Sequence, residues 1–279
     1  MPTSAPGIYR LPVTIRKTTD VDRSGRWLAQ GWRDFRAAPG VSLTYGAAFV
    51  LIGLAITVGV AAAGLGSLIL PLAGGFAILG PILVVGLYDV ARRLEAGLPA
   101  TFADCFHAFG RSAGQLAAMG VVLLLAYLVW VRVALLLFAI FFSDQPPPLD
   151  RFVQDVVFSL DGAPLLILGS LIGAGFAATV FAITAVSIPL IYDRPVDSIS
   201  AVGISLLTVR ENFRVMAGWA ASIAVLVFAG LCTVVGLAVV MPVLAFATWH
   251  AYRDLIADGA VYADDALAPR EASVDAASV

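Results

Sequence analysis

The chain has 279 residues, of which 60% are hydrophobic and only 13% charged, with a formal net charge of −2. A soluble domain carries about 25% charged residues, so this composition excludes a protein wetted on all sides and points to one embedded in lipid. Two cysteines, Cys105 and Cys232, exclude a disulfide framework, and no Cys-x-x-Cys is present.

Residues 1–23 are poor in large apolar side chains and are expected to form a flexible N-terminal segment. Seven of the 17 Lys/Arg precede Val41 with no apolar signal core among them, so no cleavable signal peptide is expected. The stretch 24–40 then sets Trp27, Leu28, Trp32 and Phe35 on one helical face, with Arg26, Arg33 and Arg36 largely off it. It reads as a helix lying in the membrane interface.

Crossing a hydrocarbon layer about 30 Å thick takes roughly 20 apolar residues. Six stretches fit: Val41–Ala63, Ser67–Val90, Ala113–Phe142, Pro164–Tyr192, Val215–Val235 and Gly236–Tyr252. The last two rest on the uncharged run 215–252, too long for one crossing, with a turn expected near Gly230–Gly236. Six crossings gather 15 of the 17 basic residues on one side, leaving only Arg132 and Arg151 elsewhere. By the positive-inside rule that side is cytoplasmic, with both termini there. Five crossings would place Arg253 and the tail outside.

Two further inner helices are expected. In 101–112, Phe102, Cys105, Phe106 and Phe109 recur at helical spacing behind a capping box of Thr101 and Asp104. In 197–213, Asp197 caps a helix whose apolar stripe is Ile199, Val202, Leu206, Val209 and Phe213. A short outer helix is expected after Pro146–Pro148, capped by Asp150. The tail 258–279 is expected to be disordered.

The plan is therefore an all-α, polytopic membrane helix bundle: six transmembrane helices plus three cytoplasmic-side interfacial amphipathic helices, filling residues 24–257. Three units each run from inner helix to outward span to returning span. A pattern marks the returning ends: Pro81, Leu83, Tyr88, Asp89 and Arg92 recur as Pro242, Leu244, Trp249, His250 and Arg253, and in shortened form as Pro189, Tyr192, Asp193 and Arg194. The reading is that the aromatics anchor helix ends at headgroup depth; the alternative is that they line a site.

Candidate functional residues follow. Arg132 is the only charge deep in an apolar run, a relay point or an interface anchor near the outer surface. Tyr88, Asp89, Arg92, Tyr192, Asp193, Trp249, His250 and Arg253 form the repeated pattern. Gly169, Gly173 and Ala177, four apart, form a packing seam within the chain or between two copies. With His107 and His250 the only histidines and no Cys or Glu at ligand spacing, no metal or cofactor is expected. No nucleophile elbow, P-loop, His-Glu-x-x-His or dinucleotide fingerprint occurs, so no enzymatic activity is expected.

The segments "GPILVVGLYDVARRLEAG" (80–97), "SIPLIYDRPVD" (187–197), "RENFRVMAGWA" (210–220) and "ATWHAYRDL" (247–255) together resemble the bacterial family of predicted integral membrane proteins called domain of unknown function 2189. The resemblance spans about residues 24–257 and implies a multi-pass inner-membrane protein with no assigned activity. Family members commonly carry a second His four residues before His250, where this chain has Phe246, so no paired-imidazole role is implied. The expected function is a non-enzymatic accessory or scaffold protein for a membrane complex or for lipid organisation; the alternative is a carrier for a small solute or lipid. Expected partners are the bilayer, anionic headgroups on the cytoplasmic face, and another membrane complex or a second copy, with no nucleic acid.

Overall fold

A computed structural model describes residues 13–65, 69–142, 159–160 and 162–258. The outer helix expected near Asp150 and the tail beyond 258 lie outside them.

Three units follow one another, as the repeated pattern requires. The first is α1 (Arg23–Ala37), α2 (Pro39–Ala62) and a return broken into α3 (Ile69–Leu83) and α4 (Val85–Glu95). The second is α5 (Phe102–Arg111), α6 (Ala113–Phe141) and a return broken into α7 (Ala163–Thr184) and α8 (Ser187–Asp193). The third is α9 (Ser198–Glu211), α10 (Phe213–Thr233) and α11 (Leu237–Leu255). In each unit a single residue, Ala38, Ser112 or Asn212, joins the short helix to the long one.

Local chemistry sets these bounds. The Asp104 carboxylate accepts from the Thr101 amide at 2.8 Å and its hydroxyl at 2.7 Å, completing the expected capping box. Asp197 accepts from the Ser200 amide at 2.9 Å, as its N-cap position demands. Pro81 lies inside α3 and the helix breaks at Val84. The break at Val186 is stitched from outside: Ser205 of α9 accepts from the Val186 amide at 3.2 Å and donates to the Ala182 carbonyl at 2.8 Å. Broken helices survive in an apolar setting only when such groups find partners. Between α10 and α11 the chain reverses where Val234 adopts φ +56°, within the expected turn region.

Four helices are long and apolar enough to cross a membrane: α2, α6, α7 running on through α8, and α10. The expected count of six is not reached by length and composition among the described residues. α3 has only 15 residues because the helix breaks at Val84, and the last turns of α11 carry polar groups that pack inside the protein. The long helices present their apolar side chains outward, including Leu51 and Val58 of α2, Val121 and Ile140 of α6, Leu171 of α7 and Phe228 of α10. This is the surface of a protein solvated by lipid.

The units interlock as a ring. Each short helix packs on the return of the unit before it: α5 on α4, α9 on α7 and α8, and α1 on α11, closing the circle. The contact residue is small in each case and lies seven positions before the joint: Gly31, Cys105 and Ser205, all buried. A Cβ at Gly31 would stand 2.5 Å from the Val243 carbonyl, and one at Gly86 of α4 would stand 2.8 Å from the Cys105 carbonyl. The N-terminal segment expected to be flexible contributes at 13–22 to the closure: β1 (Val13–Ile15) pairs antiparallel with β2 (Ile256–Asp258). Val13, and Ile256 opposite Ile15, are buried, which holds the ribbon down.

Gly46 of α2 meets α11 so closely that a Cβ would collide with the Ala238 carbonyl, whereas one at Gly53 would meet open space. Gly46→Ala is expected to lower stability by about 1–3 kcal/mol through overpacking. Gly53→Ala is expected to leave it unchanged or slightly raised. Thermal unfolding of the purified protein in detergent compares the two.

Candidate functional site

The three returning ends, α4, α8 and α11, touch one another pairwise. They bring together eight residues of the repeated pattern: Tyr88, Asp89, Arg92, Tyr192, Asp193, Trp249, His250 and Arg253. The aromatics fill the middle. Trp249 stacks near Tyr88, with centroids 6.1 Å apart, and contacts the rings of Tyr192 at 5.9 Å and Tyr252 at 5.5 Å. Tyr88, Tyr192, Trp249 and Tyr252 are all buried. The expectation that these aromatics anchor helix ends at headgroup depth is therefore corrected: their rings face each other because only there do three apolar faces converge.

Carboxylates follow the aromatics and are answered from neighbouring units. Asp89 is buried and accepts from the Tyr192 hydroxyl of the second unit. Within α4 it also accepts from Arg92 at 2.6 Å and Arg93 at 2.9 Å. Arg93 reaches on to Asp104 of α5 at 2.7 Å, and Arg92 donates to the Tyr192 hydroxyl at 3.1 Å. Arg111 of α5 lies over the Tyr192 ring, 5.6 Å from its centroid, and 3.8 Å from Asp89. One step round, Asp193 accepts from the Tyr252 hydroxyl of the third unit at 2.6 Å, and Arg194 donates to that hydroxyl at 3.1 Å.

Position 250 is where the pattern departs, with His in place of Asp, and the ring is completed differently. His250 Nε2 lies 2.7 Å from Asp34 of α1, while Nδ1 lies 3.5 Å from Glu95 of α4. Arg253 spans Glu95 at 3.6 Å and Asp193 at 3.8 Å. Asp254 then accepts from the Trp27 indole at 3.0 Å and pairs with Arg23, fastening α1 to α11. Among the described residues the Trp249 indole N–H, the Arg23 Nε and the Ser24 hydroxyl are buried without a hydrogen-bond partner.

Charge state follows the same logic at the rim. Bonds from the Thr101 hydroxyl and amide hold the Asp104 carboxyl below the usual carboxylate range. The cap is therefore complete above that range and is lost as pH falls through the lowered value.

The other sequence candidates lie elsewhere. Arg132 is exposed on α6, with no ion pair among the described residues, and does not reach the cluster. His107 is exposed on α5, apart from His250. Gly169 and Gly173 face α6: a Cβ at Gly173 would meet the Trp130 ring at 3.1 Å, so this part of the seam packs within the chain, while Ala177 is exposed. Sequence reasoning missed Asp34, Arg93, Glu95, Arg111, Tyr252 and Asp254. Their signal was the surplus of charge on the short helices and just after the returns, but nothing local names their partners.

Residues 69–193 match the family described as predicted integral membrane protein (DUF2189). The matched segment runs from α3 through α8, so it holds Tyr88, Asp89, Arg92, Tyr192 and Asp193 and the bonds among them. The resemblance read over residues 24–257 is met in this middle part. No curated protein and no solved structure matches the chain.

Removing the shared carboxylate tests the cluster. Asp89→Asn is expected to destabilise by about 2–3 kcal/mol, less than the about 3–5 kcal/mol for a fully buried pair because its arginines reach solvent. Tyr192→Phe is expected to cost about 1.5 kcal/mol. A double-mutant cycle should return a coupling above about 0.5 kcal/mol, and independent effects would break the assignment.

Proposed function

We propose that this protein is a non-enzymatic scaffold of the bacterial inner membrane, packing against another membrane complex or organising lipid. In this reading α3 and α11 complete three hairpins, giving six crossings with both termini cytoplasmic. The short helices α1, α5 and α9 lie as amphipathic helices on the cytoplasmic face, where the exposed arginines favour that side.

The observation that carries the reading is the closure of the cluster. Tyrosine hydroxyls and arginines occupy the carboxylates, and four aromatic rings fill the centre. Charge placed so is spent on joining three units, with little left to recognise a ligand. Neighbouring helices also approach closely: half-buried Trp130 of α6 lies against Gly74 of α3 and Gly173 of α7. Arg132, the residue a carrier would use, stands on the outer surface instead.

Proteoliposomes and native membranes test this together. Liposomes containing the protein are expected to hold ion and solute gradients as tightly as empty ones. A photo-crosslinker at Leu171, on the outward side of α7, is expected to give a discrete adduct with a membrane protein or with lipid in native membranes. A solute flux that Arg132→Gln abolishes, with insertion intact, would establish a carrier instead.

A further inference from the structure

The one-residue joints hold each of the three short helices in register with the long helix it precedes. Counting back from Ala38, Ser112 and Asn212, the seventh residue is small and turned inward, as described. The sixth is large, apolar and turned outward: Trp32 is 43% exposed, Phe106 65% and Leu206 45%. Burying a residue of this size in the protein would stabilise it, so three in equivalent positions left outside need a surrounding that accepts them.

Two sets of arginines differ in their partners. Arg92, Arg93 and Arg253 are taken up by carboxylates in the cluster. Arg33 and Arg36 of α1, and Arg210 and Arg214 beside the α9–α10 joint, are exposed and form no ion pair among the described residues. Phe213, between the latter two, is 68% exposed.

Exposed cations beside outward apolar side chains, close to a one-residue joint with a lipid-facing helix, fit a surface whose anionic layer borders an apolar one. A water-soluble anionic partner would satisfy the arginines but leave the apolar side chains in water. A neutral bilayer would accept the apolar side chains but leave the cations unanswered. We propose that the three elbows form a binding surface for anionic phospholipid. Trp32, Phe106 and Leu206 enter the layer beneath the headgroups, and Arg33, Arg36, Arg210 and Arg214 lie on the phosphates. The proposal rests on the scaffold reading's placement of the short helices at the membrane surface, and it names the lipid class met there.

The full chain, reconstituted in an equal mixture of phosphatidylcholine and phosphatidylglycerol, provides the test. Lipid retained through detergent extraction is identified by mass spectrometry, and Trp32 fluorescence quenching by brominated lipid is read against Trp32→Phe. The expected result is quenching of Trp32 and severalfold enrichment of phosphatidylglycerol, on the order of fivefold for each arginine fully engaged. The variant Arg33→Gln/Arg36→Gln/Arg210→Gln/Arg214→Gln is expected to retain the two lipids in the supplied ratio with its thermal unfolding unchanged. An unquenched Trp32 would overturn both this proposal and the placement beneath it. Quenching without enrichment, or enrichment that survives in the quadruple variant, would overturn this proposal alone.

Discussion

Three helix ends bearing ionisable groups meet at one buried point, and the cost of leaving any of those charges unanswered governs the architecture. A carboxylate removed from water is tolerated only when paired and hydrogen-bonded. Asp89 and Asp193 meet that demand with tyrosines borrowed from the next unit, so each unit is completed by its neighbour. The ring is thus held by polar bonds at the end where the short helices gather, and by van der Waals packing where lipid surrounds it.

Hydrophobic burial has little to offer between helices already solvated by hydrocarbon, so close approach must supply the attraction there. Small residues at Gly46, Gly75 and Gly173 let α2, α3 and α7 come against α11 and α6, with Tyr127 and Trp130 filling the space. Gly31, Cys105 and Ser205 do the same where the short helices dock. Ser205 adds a second service by satisfying the backbone at the Val186 break, which lets the second return bend toward the cluster.

Much of this was legible in the sequence wherever the signal is local. The bounds of the three short helices, the Thr101–Asp104 box, the Asp197 cap and the turn before Gly236 depend on residues a few positions apart. The aromatic and titratable pattern marks the three ends that meet, because an aromatic, a titratable group and an Arg recur in the same order at each. Its meaning was not legible: an aromatic at a helix end reads as an interface anchor until three such ends are known to converge. Partners such as Asp34 for His250, 216 positions away, leave no local trace. Four of the expected spans meet the demand for length and apolarity among the described residues; in the first and third returns, buried polar groups at the ends of α4 and α11 dilute the hydropathy.

Hydrogen exchange on the intact protein reaches the central claim most directly. If bonds between units hold the ring, amides of 85–93, 187–193 and 245–255 will exchange slowest and open together, and Asp193→Asn will accelerate all three segments. Faster exchange confined to α8 in that variant, with α4 and α11 unmoved, would contradict it.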